Sequence, residues 1–588
     1  MSIFDVLALF GGLALFLFGM NVMGDGLTRA AGGKMERILE KLTSTPIKGV
    51  LLGAAVTAVI QSSSATTVMV VGFVNSGIMK LRQAVGIIMG ANIGTTVTSW
   101  ILSLSGIQGD SIWIQMLKPS SFSPILAVIG IVFLMFSKNE KKHDIGMIFL
   151  GFTILMYGMD AMSGAVAPLA DVPEFANVLL MFSNPVLGMI VGTLFTAIIQ
   201  SSSASVGILQ ALCMTGAVTY GTALPIIMGQ NIGTCVTALL SSIGAKKNAK
   251  RAAFVHLYFN LIGTILFMIV FYSINAFVNF GVLQDMATPA GIAVIHSIFN
   301  ILTTIVLLPF GKGLEKLATL TIREKEEPVE EIAELVPLKH LDARFLEQPA
   351  FAVTQSMDVM NQMAGYSAEA LYDSLELLKD YSDEKWQRVE ALEDIVDKYE
   401  DELGTYLAKV SGKELAEEDS KRVSNGLHCI GDLERISDHA LAIAEIYARM
   451  HKEEMVFSDK AMAELNLYSN AVYEIMSMTC KALNEDDMKI AKRIEPLEEV
   501  INGLNATIKK QHIKRLQKGK CTIELGIALE NLLNNYERVA DHCSNVAASL
   551  LQVKTDSFDT HEYLNRVKQE SNVEFQAMYS MYKEKYSL

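Results

Sequence analysis

Gln61-Ser62-Ser63-Ser64-Ala65-Thr66 returns 139 residues later as Gln200-Ser201-Ser202-Ser203-Ala204-Ser205, and both copies sit inside otherwise apolar runs. A second phrase follows each: Asn92-Ile93-Gly94-Thr95 and Asn231-Ile232-Gly233-Thr234, again 139 apart. Pro46, Gly53 and Thr57 match Pro185, Gly192 and Thr196 at the same offset. One unit therefore covers about 1–139 and again 140–278, with one more apolar helix at 289–310. Two polar clusters at matching places in two apolar halves are what a transporter with internal repeats places round its substrate.

The composition divides the chain. Residues 1–320 carry 17 basic and 12 acidic side chains, a net of +5. The whole chain is −14, so residues 321–588 hold −19. The first part reads as membrane-embedded and the second as soluble. No nucleic-acid partner is expected. The N-terminus has Asp5 and no basic leader, so 3–23 is expected to be a retained transmembrane helix. Six cysteines without a CxxC pair fit reduced thiols.

Full spans are expected near 3–23, 83–104, 123–137, 144–165, 222–243, 251–274 and 289–310. Segments 47–79 and 186–218 differ. Each is two apolar runs of about 15 residues flanking a serine cluster, and a helix of that length covers only ~21 Å of a ~30 Å hydrocarbon core. Each is read as a re-entrant hairpin with the cluster at its tip, where non-helical backbone must face protein or water. Loop charges agree. With the N-terminus outside and both hairpins re-entrant, cytoplasmic loops hold 14 Lys and Arg and outer loops hold only Lys118. If each hairpin crossed once, the split would be 10 to 5. Three spans per repeat place the second copy upside down relative to the first.

At each tip one half-helix ends and another begins on serines, which are good N-cap residues. The free amides and the helix dipole there make an anion site without lysine or arginine. Gln61, Ser62, Ser63 and Ser64, with Gln200, Ser201, Ser202 and Ser203, are the expected oxyanion ligands. Oxygens of Thr66, Thr67, Asn92, Thr95, Ser205, Asn231 and Thr234 are hard donors suited to sodium. The glycine of each Asn-Ile-Gly-Thr phrase lets a helix unwind or another backbone approach. His256 and Asn260, then His296 and Asn300, form two HxxxN pairs 40 residues apart, read as interhelical hydrogen bonding.

Residues 311–340 read as a linker and 341–588 as an all-helical domain. That domain is duplicated too. Glu434-Arg435-Ile436-Ser437-Asp438-His439 returns 103 residues on as Glu537-Arg538-Val539-Ala540-Asp541-His542. Glu393 and Asp397 precede the first copy, Glu498 and Asn502 the second. Carboxylates four apart share a helix face, so two such helices packed together offer several oxygens to a metal. Each histidine points ~100° away from its neighbouring Asp and is the weaker ligand candidate.

The paired QSSS and NIGT phrases resemble the sodium–phosphate cotransporter family over about 1–310. That resemblance implies a sodium-driven symporter of inorganic phosphate, not an enzyme, with sodium as co-substrate; the motif chemistry alone gives only a sodium-like cation and an oxyanion. The duplicated ExxxD pattern resembles the PhoU family, two three-helix bundles that in some members bind iron or zinc. Leu341-Asp342-Ala343-Arg344-Phe345-Leu346-Glu347 resembles the junction where PhoU-like domains follow such transporters. Asn502 stands where that family usually has Asp. The expected fold class is all-α: a polytopic helical membrane protein with inverted repeats and two re-entrant hairpins, then a soluble PhoU-like pair of three-helix bundles. The expected function is phosphate import across the plasma membrane, with the N-terminus outside, the C-terminal domain cytoplasmic, and a homo-oligomer or a cytoplasmic regulatory partner. The alternatives are a phosphate sensor with little flux, or a transporter of another oxyanion.

Overall fold

The computed structural model describes residues 3–31, 45–107, 111–137, 139–168, 181–323, 332–554 and 573–588. Lys34, Arg37, Lys41 and Lys138 of the loop-charge count, and 324–331 of the expected linker, lie outside the described residues. Contacts divide the chain into two units. One is Met1–Val329 with Asp342–Gln348; the other is Glu330–Leu341 with Pro349–Leu588.

The first unit runs α1 (Ile3–Ala31), α2 (Pro46–Ile60), α3 (Ser63–Ser76), α4 (Leu81–Ser103), α5 (Ile112–Leu117), α6 (Pro119–Phe136), α7 (Glu140–Val166), α8 (Pro185–Ile199), α9 (Ser202–Cys213), α10 (Tyr220–Gly233), α11 (Cys235–Ser241), α12 (Lys247–Val278), α13 (Pro289–Leu307) and α14 (Gly311–Thr321). Among the described residues, seven helical stretches are long and apolar enough to cross a membrane. They correspond to the seven spans read from the sequence, with 3–23 extended to Ala31, 123–137 extended back to Pro119, and 289–310 carried on to Thr321, into the segment expected as linker. The unit is apolar outside and polar inside. Phe10, Phe18, Ile269, Phe277 and Ile305 are exposed, while Thr66, Gln210, His256, Asn260, His296 and Asn300 are buried. Lipid removes the penalty on exposed apolar groups and forces polar ones inward.

Glycines bring the first helices of the two repeats together. Gly12 and Gly19 on α1 are the repeat mates of Gly151 and Gly158 on α7. A Cβ on Gly19 would lie 2.3 Å from Leu155 N and 2.7 Å from Gly151 O. One on Gly158 would lie 2.3 Å from Phe16 N and 2.7 Å from Gly12 O. So Gly12 meets Gly158 and Gly19 meets Gly151, and each contact is the mate of the other. That is an antiparallel, two-fold packing, the inversion read from span parity. Without hydrophobic drive between helices in lipid, such close backbone approach supplies the association.

The two-fold does not follow chain order throughout. Asn260 on α12 bonds to repeat one, and Asn300 on α13 bonds to repeat two. Helices α12 and α13 are therefore mates across the axis although only 40 residues separate their HxxxN pairs. Helix α6 instead packs on α7 where Gly130 and Gly146 face each other. It is the odd span that inverts the second repeat.

The junction phrase folds onto this unit. Phe345 is fully buried, 5.3 Å from the Phe73 ring, in space left by Gly72. Asp342 accepts from Asn75 Nδ2 (2.6 Å), and Arg344 Nε donates to Ser241 O (2.8 Å).

The second unit contains α15 (Pro349–Glu376), α16 (Asp383–Ser411), α17 (Glu417–Lys452), α18 (Asp459–Glu485), α19 (Met488–Ala491), α20 (Ile494–Gln517), α21 (Ile523–Lys554) and α22 (Val573–Lys585). Helices α15–α17 form one three-helix bundle and α18, α20 and α21 the other, joined mainly through α17 and α21. Tyr447 and Tyr536 share a buried hydroxyl bond of 2.8 Å across that joint.

Replacing Gly19 or Gly158 by valine forces backbone apart and should cost at least ~2 kcal/mol. Gly11, with nothing within 4 Å of an added Cβ, should accept alanine. Thermal melts in detergent test this; unchanged melting of Gly19→Val would contradict the glycine contact.

Candidate substrate site

Each hairpin turns in two residues, Gln61 with Ser62 and Gln200 with Ser201. Helix α2 starts at Pro46 behind a Thr45 cap and ends at Gln61, whose φ of 58° and ψ of 19° are left-handed. Helix α8 starts at Pro185 behind Asn184 and ends at Gln200 with φ 59° and ψ 19°. Glutamine in this region is uncommon and strained, and it occurs twice at mated positions. The next residue reverses to extended backbone and caps the second leg. Ser62 Oγ accepts from Ala65 N (3.1 Å) and Ser201 Oγ from Ala204 N (3.2 Å). Both serines sit where the sequence placed the caps. Hydroxyls then staple the legs: Thr57 to Thr66 (3.0 Å) and Thr196 to Ser205 (2.8 Å). The first amides of α3 and α9, at Ser63–Ser64 and Ser202–Ser203, have no helical acceptor by geometry.

The Asn-Ile-Gly-Thr phrases lie on α4 and at the end of α10. A Cβ on Gly94 would lie 2.5 Å from Ala54 O and 2.7 Å from Thr57 Cβ; on Gly233 the figures are 2.5 Å to Thr193 O and 2.7 Å to Thr196 Cβ. Of the two uses expected for this glycine, close backbone approach is the one common to both repeats. Helix α4 runs unbroken through Gly94, and only the second copy has a break, at Thr234. The threonine that each glycine touches is the one that staples its hairpin. Thr95 Oγ1 donates to Ala91 O and Thr234 Oγ1 to Gln230 O, both near 3 Å, and Thr67 Oγ1 donates to Ser64 O (3.0 Å). Each hydroxyl keeps lone pairs for a cation.

The asparagines meet partners the sequence assigned only to helix packing. Asn92 Nδ2 donates to Asn260 Oδ1 (2.6 Å) and Asn231 Nδ2 to Asn300 Oδ1 (3.0 Å). His296 bridges the repeats, with Nδ1 2.7 Å from Ser99 Oγ and Nε2 3.3 Å from Asn231 Oδ1. Its mate His256 is fully buried with both ring nitrogens unpartnered. Ala238 stands where repeat one has Ser99, so the second repeat lacks the hydroxyl that meets His296 Nδ1.

A second asymmetry lies at the tips. Gln61 is buried and its Oε1 accepts from Thr98 Oγ1 (3.0 Å). Gln200 is exposed, and Thr237, the mate of Thr98, donates to Thr234 O (2.9 Å) instead. One glutamine clasp is closed and its mate is open. The structure joins each hairpin to its own NIGT helix.

In the helical unit, Glu393, Asp397 and Asp438 bring ligand oxygens within 4.8 Å of one another. Burial, then crowding by Asp397, Asp394, Asp438 and Glu434, pushes the Glu393 carboxyl up to about 7. Burial and neighbouring carboxylates also raise Asp397 and Glu434. The second half gathers no such group among the described residues. There Asn502 donates to Glu498 (2.6 Å) and Asn505 to Glu537, and Asp541 pairs with Arg538. Amides at 502 and 505 replace Asp397 and Glu400 of the first half and remove two carboxylates from the site. The histidines are engaged across the bundles: His439 with Asn535 and His542 with Asp432, each 2.8 Å. Positions 432 and 535 are repeat mates, so these bonds are two-fold related. An oxygen-only donor set fits a hard divalent cation; among the described residues no nitrogen or thiolate joins it to favour zinc, and nothing singles out iron.

The sequence profile described as Na+/Pi-cotransporter matches residues 15–164 and 170–285, and that of the PhoU domain matches 360–447 and 465–550. The chain belongs to the Na+/Pi-cotransporter family. A Bacillus subtilis relative, the uncharacterized protein YqeW, is 31% identical over 53% of this chain and 97% of its own. A Salmonella typhimurium relative named for inorganic phosphate export, YjbB, is 24% identical over 95% of this chain and 99% of its own. Rat sodium-dependent phosphate transport protein 2A is 39% identical over 97 residues, 16% of this chain and 15% of its own. Both Na+/Pi-cotransporter matches include a serine-cluster hairpin and its NIGT phrase.

Two outcomes check the geometry. Ala238→Ser should give His256 a partner and stabilise the Na+/Pi-cotransporter unit by about 1 kcal/mol, read as a raised melting temperature; no gain would contradict the mated placement. Glu393 is raised above its unfolded pKa, so the stability of its neutral form is full below about 4.5 and lost as pH rises towards about 7. Hydrogen exchange in α16 and α17 should quicken from pH 5 to pH 8, after correction for intrinsic rates, in chelator. Glu393→Gln should flatten that dependence.

Proposed function

We propose that this chain is a sodium-coupled symporter of inorganic phosphate working by alternating access, with the helical unit regulating it. The observation that carries this reading is the pair of mated hairpin tips with one glutamine clasp closed and the other open. Inverted repeats supply two states by exchanging conformations. Its partner state has Gln200 clasped to Thr237 and Gln61 released from Thr98.

Phosphate binds at the free amides and hydroxyls of Ser62–Ser64 and Ser201–Ser203, with Gln61 and Gln200 beside them. No lysine or arginine stands in either tip phrase, so the anion is held by dipoles and hydrogen bonds and can leave. Sodium takes oxygens among Thr66, Thr67, Asn92, Thr95, Ser205, Asn231 and Thr234, and its charge offsets that of the anion. His296, joining Ser99 to Asn231, ties the repeats so that movement at one is felt at the other.

The loop charges favour an outside N-terminus and a cytoplasmic helical unit in the plasma membrane. Under an inward sodium gradient a symporter imports phosphate. The name of the Salmonella relative makes export the second reading, and that of the rat relative favours sodium dependence.

Proteoliposome flux decides. Phosphate should follow an imposed sodium gradient in either direction and should stop when sodium is absent on both sides. Sodium-independent flux would overturn the coupling, and binding without flux would favour a sensor. Alanine at Ser62–Ser64 or Ser201–Ser203 should lower flux tenfold or more, about 1.4 kcal/mol or beyond. Thr98→Val should free Gln61 and shift side-specific labelling of a cysteine placed near the tip; unchanged labelling would sink the clasp.

A further inference from the structure

We propose that the helical unit carries a binding site for a phosphate-rich anion, in the groove between the C-terminal end of α20 and the N-terminal end of α18. The groove has a volume of about 760 Å³ and is lined by Lys460, Lys510, Lys514, Arg515, Lys518 and Lys520. Among the described residues Asp459 is its one lining carboxylate. Six cations converge there although residues 321–588 carry a net −19. The site is distinct from the hairpin tips and from the carboxylate cluster.

Lysines at a helix C-terminus are ordinary complements to its dipole. That accounts for Lys514, Arg515 and Lys518. It does not account for Lys460, in the first turn of the 27-residue α18, where the dipole repels a cation. An anion in the groove satisfies both, and Ser458, the cap of α18, lines it.

Two buried groups supply an independent indication. Arg515 Nη1 is paired with the buried Glu464 at 2.8 Å, which fixes the guanidinium, while its Nη2 is buried without a partner. His512 is 8% exposed, and its Nε2 also has no partner. It lines a side cavity of about 190 Å³ that shares Ser458, Arg515 and Lys520 with the groove. An oriented guanidinium with a spare donor edge is well matched to phosphate oxygens. The breadth of the groove suits several linked phosphate groups better than one.

Two sources carry this chemistry: a soluble polyphosphate or nucleotide, and the headgroups of anionic lipid. The test uses the full chain in nanodiscs and reads protection of the groove lysines from an amine-reactive label by mass spectrometry. In neutral lipid, tripolyphosphate should protect Lys460, Lys514 and Lys518 and leave Lys398 unchanged. Lys514→Glu with Lys518→Glu should weaken the protection of the remaining Lys460 about tenfold or more, with an unchanged thermal melt of the full chain serving as the check on folding. Protection without tripolyphosphate, appearing only in phosphatidylglycerol discs and lost in the double variant, assigns the groove to lipid. Unprotected lysines in every arm, or equal protection in the variant, overturn the proposal.

Discussion

A chain that turns round partway through a hydrocarbon layer must satisfy the backbone and hydroxyl groups at the turn, because lipid offers them no hydrogen-bond partner. Both hairpins meet this constraint in the same way. A left-handed glutamine ends one leg, a serine caps the next, and a threonine staples to Thr66 or Ser205. The glycine of the NIGT phrase packs on that threonine, so the turn and its supporting helix fix each other. The first amides of α3 and α9 are the ones that no helical carbonyl reaches. The strain at Gln61 and Gln200 is tolerated because the serine cap and the hydroxyl staple hold each turn in place.

The inversion follows from a few glycines. Because Gly12 meets Gly158 and Gly19 meets Gly151, the repeats lie antiparallel about one axis. Departures from that symmetry are then informative. Ala238 stands in place of Ser99 and His256 is without a partner, while His296 joins the two halves. Thr237 satisfies itself locally while Thr98 holds Gln61. A transporter needs near-equivalent halves to exchange shapes, and needs them unequal at any moment.

The helical unit repeats the pattern in a soluble setting. Its halves share the ExxxDH phrase, and the histidines cross from one bundle to the other. Only the first half keeps its carboxylates crowded; Asn502 and Asn505 relieve the second. Duplication supplied the scaffold, and two amides removed half of the acidic chemistry.

Much of the fold was legible in the chain itself. Apolar run lengths located the seven spans, half-length runs round the serines marked the hairpins, and the ExxxDH repeat marked the paired bundles. These are local signals, set by helix rise, hydrocarbon thickness and side-chain period. The caps Ser62 and Ser201 were legible because serine N-capping is a property of the adjoining backbone. Tertiary structure alone decided which helices are mates. The partnership of α12 with α13 has no sequence offset in common with the other pairs, because a two-fold axis relates positions in space and not along the chain. The closed clasp at Gln61, the bridge through His296, the mating of Asn92 with Asn260, and the docking of Phe345 beside Gly72 belong to the same class. Each depends on two segments brought together only after the intervening helices have packed.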